Sequence, residues 1–590
     1  MTPQRSVGPL LATLLVILQL GYSYGEPSHI IFLPWIVHLI DPSLLANDWF
    51  VNTIPHHLNS IRFMAWLGRF VPVPAALLVL HVVALFLLVW AAHRIVIHLL
   101  GDWRVFYVAL FLALRWGADG LGGNGLLGNY LVQHNAAVAV CLAAFYLVLR
   151  NKPVAAAALC AAATWIHIQL GALTMLVLGV GMAIEWRRTG LRSILLAAGV
   201  YLAAVAPTVL QQWMLYMRGP SPLSPWEYLY IHAIMRHPHH LIPSSWFGSE
   251  FYRFFLVAGI AALAGDWRRE PHRTILIWFL IIMALCVIGT VFVEIVPVKL
   301  IIKLQLFRMT VFVKFFALVY AARFLLTVLE DGGLPQKVCV LAMLTVPNFS
   351  VVGTCAALIF ALRQKRLWLW AAGLFAAGCI TGLSTAATAA LGLPIPMFWH
   401  SFAVPSRGLW MALASMAALS AVALPWGARF TRCLPAVLIV FLVAARAMTG
   451  LPYFGYDHPP ADEWYQFCRR IKTQTPRDAV FITPPFLGGF QLFAERAEVA
   501  NFKCVPLIET DLVEWKRRLG ALSGTTDLRC SGWVDCGGRL AGGYFRLRDH
   551  DFVQLGRKYG AQYVVTSQPE QKLNLPEVLR VGDYVLYRLP

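Results

Sequence analysis

Long apolar runs separated by short polar stretches dominate the first 450 residues of the chain. A helix needs about 20 apolar residues to cross the hydrocarbon core of a membrane. Counting such runs predicts a polytopic α-helical membrane protein with about 13 transmembrane helices. The predicted spans lie near residues 7–24, 72–92, 105–117, 134–149, 153–168, 170–186, 192–213, 251–265, 273–294, 306–328, 367–390, 407–425 and 433–449.

Two further stretches have different patterns. Pro347 and Asn348 interrupt the apolar segment 338–362, which we interpret as a hairpin that returns to the cytoplasmic side. Beyond Leu451 hydropathy falls, and the pattern predicts a soluble α/β domain over residues 451–590, after a membrane domain over 1–450. Predicted helices there are ADEWYQFCRRIKTQ, LVEWKRRLGAL and HDFVQLGRKYG, the last stopped by Gly560, and predicted strands are AVFITPP, QYVVTS and DYVLYRL.

Composition agrees with a membrane protein. Hydrophobic residues make up 59% of the chain and charged residues 13%, and the mean hydropathy is +0.66. The net charge of +19 comes from short basic clusters between apolar runs, which the positive-inside rule places in the cytoplasm. We therefore expect no nucleic-acid partner. The expected location is the plasma (inner) membrane, crossed many times, with outer loops 25–71, 117–133 and 213–250 and an extracytoplasmic C-terminal domain.

Four of the 11 cysteines lie in the polar C-terminal region. No pair has the spacing of a zinc finger. In an oxidising compartment, Cys530 and Cys536 would close a small disulfide loop, and Cys468 could pair with Cys504.

The middle of the first outer loop, the stretch DPSLLANDWFVNTIPHHLNS, combines an acid with two histidines. Asp48 follows Asn47 and precedes His56 and His57, at the expected boundary between lipid and water. An acid in this position suits a substrate with an apolar tail and a polar head, so Asp48 is the leading catalytic candidate. The alternative is a helix cap or a solvated loop charge. On either side of this loop, the IIFLPWIVHLI and IRFMAWLGRF segments predict helices lying at the membrane interface.

The second outer loop, ADGLGGNGLLGNYLVQHN, carries Asn124, Gln133 and His134 among five glycines. Its backbone N–H groups could approach an anionic or hydroxyl-rich ligand, although a flexible connector would have a similar composition. It contains no nucleotide-binding motif. His167, in TWIHIQL, is predicted at the outer end of a short helix pair, as a ligand or as a hydrogen-bonded core residue.

The third outer loop contains IHAIMRHPHHLIPSSW. Its arginine and histidines would bind a phosphate group or line a sugar site, and the tryptophan would offer a stacking face. Imidazole and carboxylate also bind metals, but no established metal motif is present, so we expect no cofactor and leave a divalent metal as the alternative. The candidate residues are Arg236, His237, His239, His240 and Trp246.

Charged residues also enter the apolar region around LQLFRMTVF. An intramembrane charge is a functional candidate because it costs about 2.5–3.5 kcal/mol to insert. Arg308 could hold phosphate with two parallel hydrogen bonds. For Lys299 and Lys303, extension to the membrane interface is the favoured interpretation.

Together, the first helix, the outer loop with NDWF, the helical bundle with polar outer loops, the late arginine in LQLFRMTVF and the C-terminal domain resemble the GT-C superfamily of integral-membrane glycosyltransferases. The likeness covers nearly the whole chain, and RHPHHL with the tail resembles a poorly characterised bacterial branch. The resemblance implies transfer of a hexosyl or pentosyl group from a polyprenyl-phosphate sugar to a glycan, lipid or protein acceptor. Asp48 would be the general base, with Glu26 as the competing acid, and Arg308 would bind the lipid phosphate.

Two other functions remain open from the sequence. One is a transporter or flippase of a lipid-linked or polar solute, although the chain shows no inverted-repeat symmetry. The other is a non-catalytic protein of envelope-polysaccharide assembly, which would be indifferent to Asp48→Asn.

Overall fold

The computed structural model describes residues 4–25, 28–216, 221–246, 248–346, 349–363, 430–567 and 571–590. Most of the described chain before residue 450 is helical. Five described helices are long and apolar enough to cross a membrane: Val73–Leu100, Leu191–Leu215, His272–Ile295, Lys299–Asp331 and Phe430–Thr449.

Shorter apolar helices pack around these five. Several have clear local causes: Asp102 caps the helix Trp103–Trp116 by accepting a hydrogen bond from the Arg104 N–H, and a proline begins the helix Pro153–Ile166. Since the predicted spans near 367–390 and 407–425 lie outside the described residues, the total of about 13 crossings stays a prediction. The shorter helices are Gln4–Leu20, Trp103–Trp116, Gln133–Leu149, Pro153–Ile166, Ile168–Ile184, Trp186–Thr189, Gly248–Ala264, Leu334–Thr345 and Phe349–Arg363.

The last two of these helices form the predicted hairpin. They pack against each other on either side of Pro347 and Asn348, which themselves lie outside the described residues. The first outer loop contains the two expected helices, His29–Ile40 and Leu58–Leu67.

The segment 213–250 is not the open loop that the sequence suggests. The long helix before it extends to Tyr216, and four short helical segments follow, one of them a π-helix. Prolines at their first positions favour this succession of short turns, since proline cannot continue a preceding helix. The segments are Pro225–Tyr228, Leu229–Arg236, Pro238–Leu241 and Pro243–Ser245.

The helical structure is also interrupted between the predicted spans near 273–294 and 306–328. The helix His272–Thr290 continues as a π-helical turn, Val291–Ile295. A short helix, Lys299–Leu304, and a 3-10 turn, Leu306–Met309, then lead into the helix Thr310–Asp331. These breaks place polar side chains next to the short helices of segment 213–250.

Residues 451–590 contain a mixed five-stranded sheet flanked by helices. Numbering all strands in chain order, β1 is Tyr22–Ser23, β2 Phe454–Gly455, β3 Val480–Ile482, β4 Ala497–Glu498, β5 Tyr563–Ser567, β6 Glu577–Val581 and β7 Tyr584–Arg588. The sheet order is β4-β3-β5-β7-β6, with β4, β3 and β5 parallel and β7 antiparallel to β5 and β6. The helices are Glu463–Gln474, Phe490–Phe493, Glu509–Leu522, Gly532–Tyr544 and Asp549–Tyr559.

This region is joined closely to the helical part. β1 pairs in parallel with β2, just after the first helix. The short helices around Leu229 and Met235 share one buried hydrophobic cluster with β3 and with Trp515. Residues 451–590 therefore bury apolar surface against the membrane part of the chain.

The cysteines confirm one prediction and contradict another. Cys530 and Cys536 form a disulfide. Cys468 and Cys504 are both free and buried, so the pairing predicted for them is wrong.

Candidate functional site

Arg308 lies in the 3-10 turn that precedes the helix Thr310–Asp331. Its Nε donates to Gln305 Oε1 at 2.7 Å, and its Nη1 lies 3.4 Å from both Asn124 Oδ1 and His134 Nδ1. His134 Nε2 is 3.2 Å from the Gly125 carbonyl. If Nε2 carries the proton and donates to that carbonyl, Nδ1 is free to accept from Arg308. Arg308 is thus held by neutral groups from three separate segments.

Two residues beside Arg308 have unusual backbone conformations. His57 and Gln305 adopt positive φ angles of 53° and 52°. For residues other than glycine, this left-handed conformation costs about 1–2 kcal/mol. Such strain concentrates at functional sites because the surrounding structure must maintain it.

Arg236 ends the π-helix Leu229–Arg236 and is only 6% exposed. Its Nη2 donates to the Lys503 carbonyl at 3.2 Å, and its guanidinium lies 5.7 Å from the centre of the Phe502 ring. Within the described part of the chain, its Nε is buried without a hydrogen-bond partner. Burial lowers the pKa of Arg236 to about 10, so it remains charged near neutral pH.

The adjacent histidines of the first outer loop lie between the two arginines. His56 Nε2 donates to the Val505 carbonyl at 3.0 Å. Burial lowers the pKa of His56, and the positive charge of Arg236 lowers it further. Burial lowers the pKa of His57 to about 3, and His56 and Arg308 contribute smaller decreases. His56 is therefore the neighbour of Arg236 and His57 the neighbour of Arg308.

A second pair of histidines lies near both arginines. The rings of His239 and His240 are 4.0 Å apart, and His240 Nδ1 donates to the Gly122 carbonyl at 2.6 Å. Burial lowers the pKa of each, and Arg236 and Arg308 both contribute to the decrease. We call the set Arg236, Arg308, His56, His57, His239 and His240 the Arg–His cluster.

Further imidazoles surround the Arg–His cluster. His167 lies at the break between two helices, as predicted, with its ring 4.2 Å from that of His57 and 5.9 Å from that of His134. His237 Nδ1 donates to the His232 carbonyl at 2.9 Å. These rings are buried or half-buried, and burial lowers the pKa of His232 to about 3, so His232 is neutral near pH 7.

The glycine-rich loop forms one side of the cluster. Gly122 and Gly123 both have positive φ angles, of 70° and 64°. A Cβ on Gly122 would lie 3.1 Å from the Trp246 ring, and a Cβ on Gly123 would be 3.8 Å from His240. Glycine therefore allows the backbone of this loop to approach the imidazoles.

The formal charges of the Arg–His cluster are all positive. In the described part of the chain, neither Arg236 nor Arg308 forms an ion pair with a carboxylate. Buried charges are normally paired, because an isolated one loses its hydration without compensation. This arrangement suits an anionic ligand with several acceptor oxygens.

Metal binding finds no support in the described residues. They contain no group of three or more His, Cys, Asp or Glu side chains that could hold a metal ion. The imidazoles contact carbonyl groups, arginines and one another instead.

Asp48 lies elsewhere, sealed beneath the cluster with 0% exposure. Its Oδ1 accepts from the Val51 N–H at 2.9 Å, and its Oδ2 accepts from Gln491 Nε2 at 2.8 Å and the Glu498 N–H at 2.9 Å. Burial raises the pKa of Asp48. The alternative of a solvated loop charge is thus wrong: Asp48 joins the first outer loop to β4 and to the helix Phe490–Phe493.

Three other predicted residues lie outside the Arg–His cluster or outside the described residues. Glu26 lies outside the described residues. Gln133 is half-buried at the start of the helix Gln133–Leu149, one position before His134. Trp246 is 8% exposed, donates to the Pro238 carbonyl at 2.8 Å and packs against Phe307, so it supports the cluster and offers no open stacking face.

Lys299 and Lys303 form ion pairs with the C-terminal region. Both approach Glu509, with Nζ to carboxylate distances of 2.8 and 3.3 Å. They fasten the short helix Lys299–Leu304 to the start of the helix Glu509–Leu522.

Residues 498–505 contact the Arg–His cluster, and the sequence analysis missed them. This segment accepts hydrogen bonds from Arg236 and His56 and donates one to Asp48. It also brings Glu498, whose buried carboxyl accepts from Thr483 Oγ1 at 2.6 Å. Its sequence, EVANFKCV, forms no functional motif, so only the tertiary structure reveals its place.

Comparison with known proteins gives limited matches. A family model described as a domain of unknown function, DUF6798, matches residues 462–522. No curated protein matches the chain. Among solved structures, the chain is similar to ArnT from Cupriavidus metallidurans in the apo state, with 14% identity, a TM-score of 0.43 and coverage of 99% of this chain and 97% of that one.

The same ArnT bound to undecaprenyl phosphate gives 15% identity, a TM-score of 0.35 and the same coverage of 99% and 97%. Likeness at this level assigns neither a family nor an activity. The functional argument therefore depends on the chain's own residues.

Proposed function

We propose that the chain is an integral-membrane glycosyltransferase of the GT-C type. It would move a sugar from a polyprenyl-phosphate-linked donor to an acceptor hydroxyl at the outer face of the plasma membrane. The observation that carries the proposal is that Arg236 and Arg308 have no carboxylate partner in the described chain and lie together among neutral imidazoles. A phosphate group would supply the missing negative charge and the acceptor oxygens.

The position of Arg308 supports a lipid-linked phosphate. It lies within Lys299–Asp331, one of the segments long and apolar enough to cross a membrane. A phosphate held there would leave its prenyl chain beside apolar helices. Its sugar would extend toward Arg236 and residues 498–505.

The chemistry requires a leaving group and a base. The acceptor oxygen attacks the sugar C1, the C1–O bond to phosphate breaks, and the phosphate leaves with the bonding electron pair. Preorganised positive donors stabilise that developing charge. A base accepts the acceptor proton, which is typically worth about 10²–10⁴ in rate. Asp48 stays a hypothesis for this base, with Glu26 as the alternative, although the buried contacts of Asp48 favour an anchoring role.

The test uses purified protein in liposomes with a panel of labelled polyprenyl-phosphate sugars. We expect one donor to bind and release its sugar when an acceptor is present, and Arg308→Gln to weaken donor binding by about 10- to 100-fold. Arg529→Gln is a matched control, because Arg529 is an exposed arginine paired with Asp527. Failure of every donor to bind would reject the proposal, and movement of a bound donor across the bilayer without sugar release would identify a carrier.

A further inference from the structure

The two arginines of the Arg–His cluster have different surroundings. Arg308 contacts polar groups of the helical part, Gln305, Asn124 and His134. Arg236 contacts the carbonyl of Lys503 in the C-terminal region. The two guanidiniums therefore form separate positive centres, one toward the membrane and one toward residues 498–505.

The same neighbours connect these centres. His240 Nδ1 donates to the Gly122 carbonyl at 2.6 Å, and Asn124, whose Oδ1 lies 3.4 Å from Arg308 Nη1, donates to the same carbonyl at 3.0 Å. The charges of Arg236 and Arg308 both lower the pKa values of His239 and His240. The rings of His239 and His240 are 4.0 Å apart. The centres thus border one polar region and not two remote ones.

The charge of the ligand can be matched to these two centres. A phosphate that joins a prenyl chain to a sugar carries one negative charge, and a diphosphate in the same position carries two. A single negative charge would compensate only one of the two arginines, whereas two charges would compensate both. The buried Arg236 Nε, which has no hydrogen-bond partner among the described residues, adds an unused donor on the side of residues 498–505.

We propose that the Arg–His cluster binds a prenyl diphosphate-linked sugar, with the phosphate next to the prenyl chain on Arg308 and the phosphate next to the sugar on Arg236. This inference rests on the proposed function and specifies its donor class. On transfer, the bond between sugar C1 and the distal phosphate oxygen breaks, and prenyl diphosphate leaves with the electron pair. The acceptor oxygen forms the new bond to C1 and its proton passes to the base. Arg236 is then nearest to the oxygen that gains charge.

The experiment titrates the full-length protein in nanodiscs by calorimetry with the methyl esters of geranyl phosphate and of geranyl diphosphate, which carry one and two negative charges like the sugar-linked lipids. We expect the diphosphate to bind about tenfold more tightly or better, because it adds charge-assisted hydrogen bonds. Arg236→Gln should reduce diphosphate affinity to that of the monophosphate and change monophosphate affinity less than about threefold. Arg308→Gln should weaken binding of both probes.

Two further variants keep the test decisive. Arg236→Lys retains the charge, so it should fold and keep part of the preference for diphosphate. Arg529→Gln should change neither affinity, and thermal unfolding of each variant excludes loss of fold. Equal affinities of the wild type for the two probes, or equal weakening of both by Arg236→Gln, would overturn the diphosphate inference alone. Binding of neither probe to the wild type would instead reject the proposed function.

Discussion

Asp48 accepts hydrogen bonds from three donors in a position closed to water, and its removal would leave all three without a partner. A buried donor left unsatisfied costs about 1–3 kcal/mol. We expect Asp48→Ala to lower the free energy of unfolding by about 3 kcal/mol or more, and Asp48→Asn, which keeps one acceptor oxygen, to lower it less. Thermal unfolding in detergent measures both.

The same variants decide between an anchor and a general base. If Asp48→Asn unfolds at the wild-type temperature but loses sugar transfer by about 10²–10⁴, Asp48 is the base and the anchoring interpretation is wrong. Transfer that falls only in proportion to the folded fraction supports the anchor. Asp527→Asn is a control, since Asp527 lies on the surface in an ion pair with Arg529.

Glu498 makes stability depend on pH. Burial raises the pKa of Glu498 to about 8, and the nearby carboxylate of Asp48 contributes to the increase. The folded protein therefore keeps a proton that the unfolded chain releases near the ordinary pKa of 4.5. The stabilisation by this proton is complete below about pH 4.5 and is lost as pH rises through about 8. We expect the unfolding temperature to fall between pH 5 and 9, and Glu498→Gln to flatten that dependence. An unchanged slope in the variant would assign the pH dependence to other groups.

At the scale of elements, the junction of the helices Lys299–Leu304 and Glu509–Leu522 depends on one carboxylate. Glu509 is 9% exposed by its side chain and approaches two lysines, while its Oε2 also accepts from Ser221 at 2.7 Å. Glu509→Gln removes the charge that compensates both lysines. We expect faster amide hydrogen exchange over residues 505–522 by about tenfold, which corresponds to roughly 1.4 kcal/mol of local stability.

Glu577→Gln is the matched control for this prediction. Glu577 pairs with Arg580 at a surface where both side chains are 42% exposed, so its loss should change exchange little. Equal protection of residues 505–522 in Glu509→Gln and wild type would show that apolar packing alone holds the junction.

The sequence predicted elements with strong periodicity and missed those defined by distant contacts. The helix Asp549–Tyr559 ends at Gly560 and the strand β3 ends before two prolines, as local signals indicated. The helix Gly532–Tyr544 was missed because its glycines hide the apolar face that Cys536 and Leu540 bury. Likewise, prolines favour the short helices of segment 213–250, but no local pattern indicates that they pack against the C-terminal region.

For the candidate site as well, the sequence indicated several of the residues but not all of their positions. Residue type alone selected Arg236, Arg308, His56, His57, His239 and His240, and the structure brings them together. The position of Asp48 could not be predicted, because a carboxylate in a polar loop has the same local sequence whether it faces water or a partner more than 400 residues away.

For the molecule as a whole, the cluster should couple ligand binding to protonation. Burial keeps His57 and His232 neutral, each with a pKa of about 3, and an anion placed beside them would raise those values. Binding should therefore take up protons, and affinity for the methyl ester of geranyl diphosphate, whose charge is constant in this range, should increase as pH falls toward 5. Calorimetry in buffers of different ionisation enthalpy measures the uptake. His57→Gln should reduce it, and an uptake of zero in the wild type would contradict the coupling.

The contacts between the first outer loop and β4 also determine when the molecule can become functional during its synthesis. Asp48 meets Glu498, His56 meets Val505, and Gln19 meets Leu442, partners that leave the ribosome hundreds of residues apart. Such distant closures form late. The early helices are therefore synthesised before the Arg–His cluster is complete. A nascent chain released before residue 505 would lack part of the segment that contacts Arg236 and His56. The proposed transfer activity would therefore be absent until translation is nearly finished.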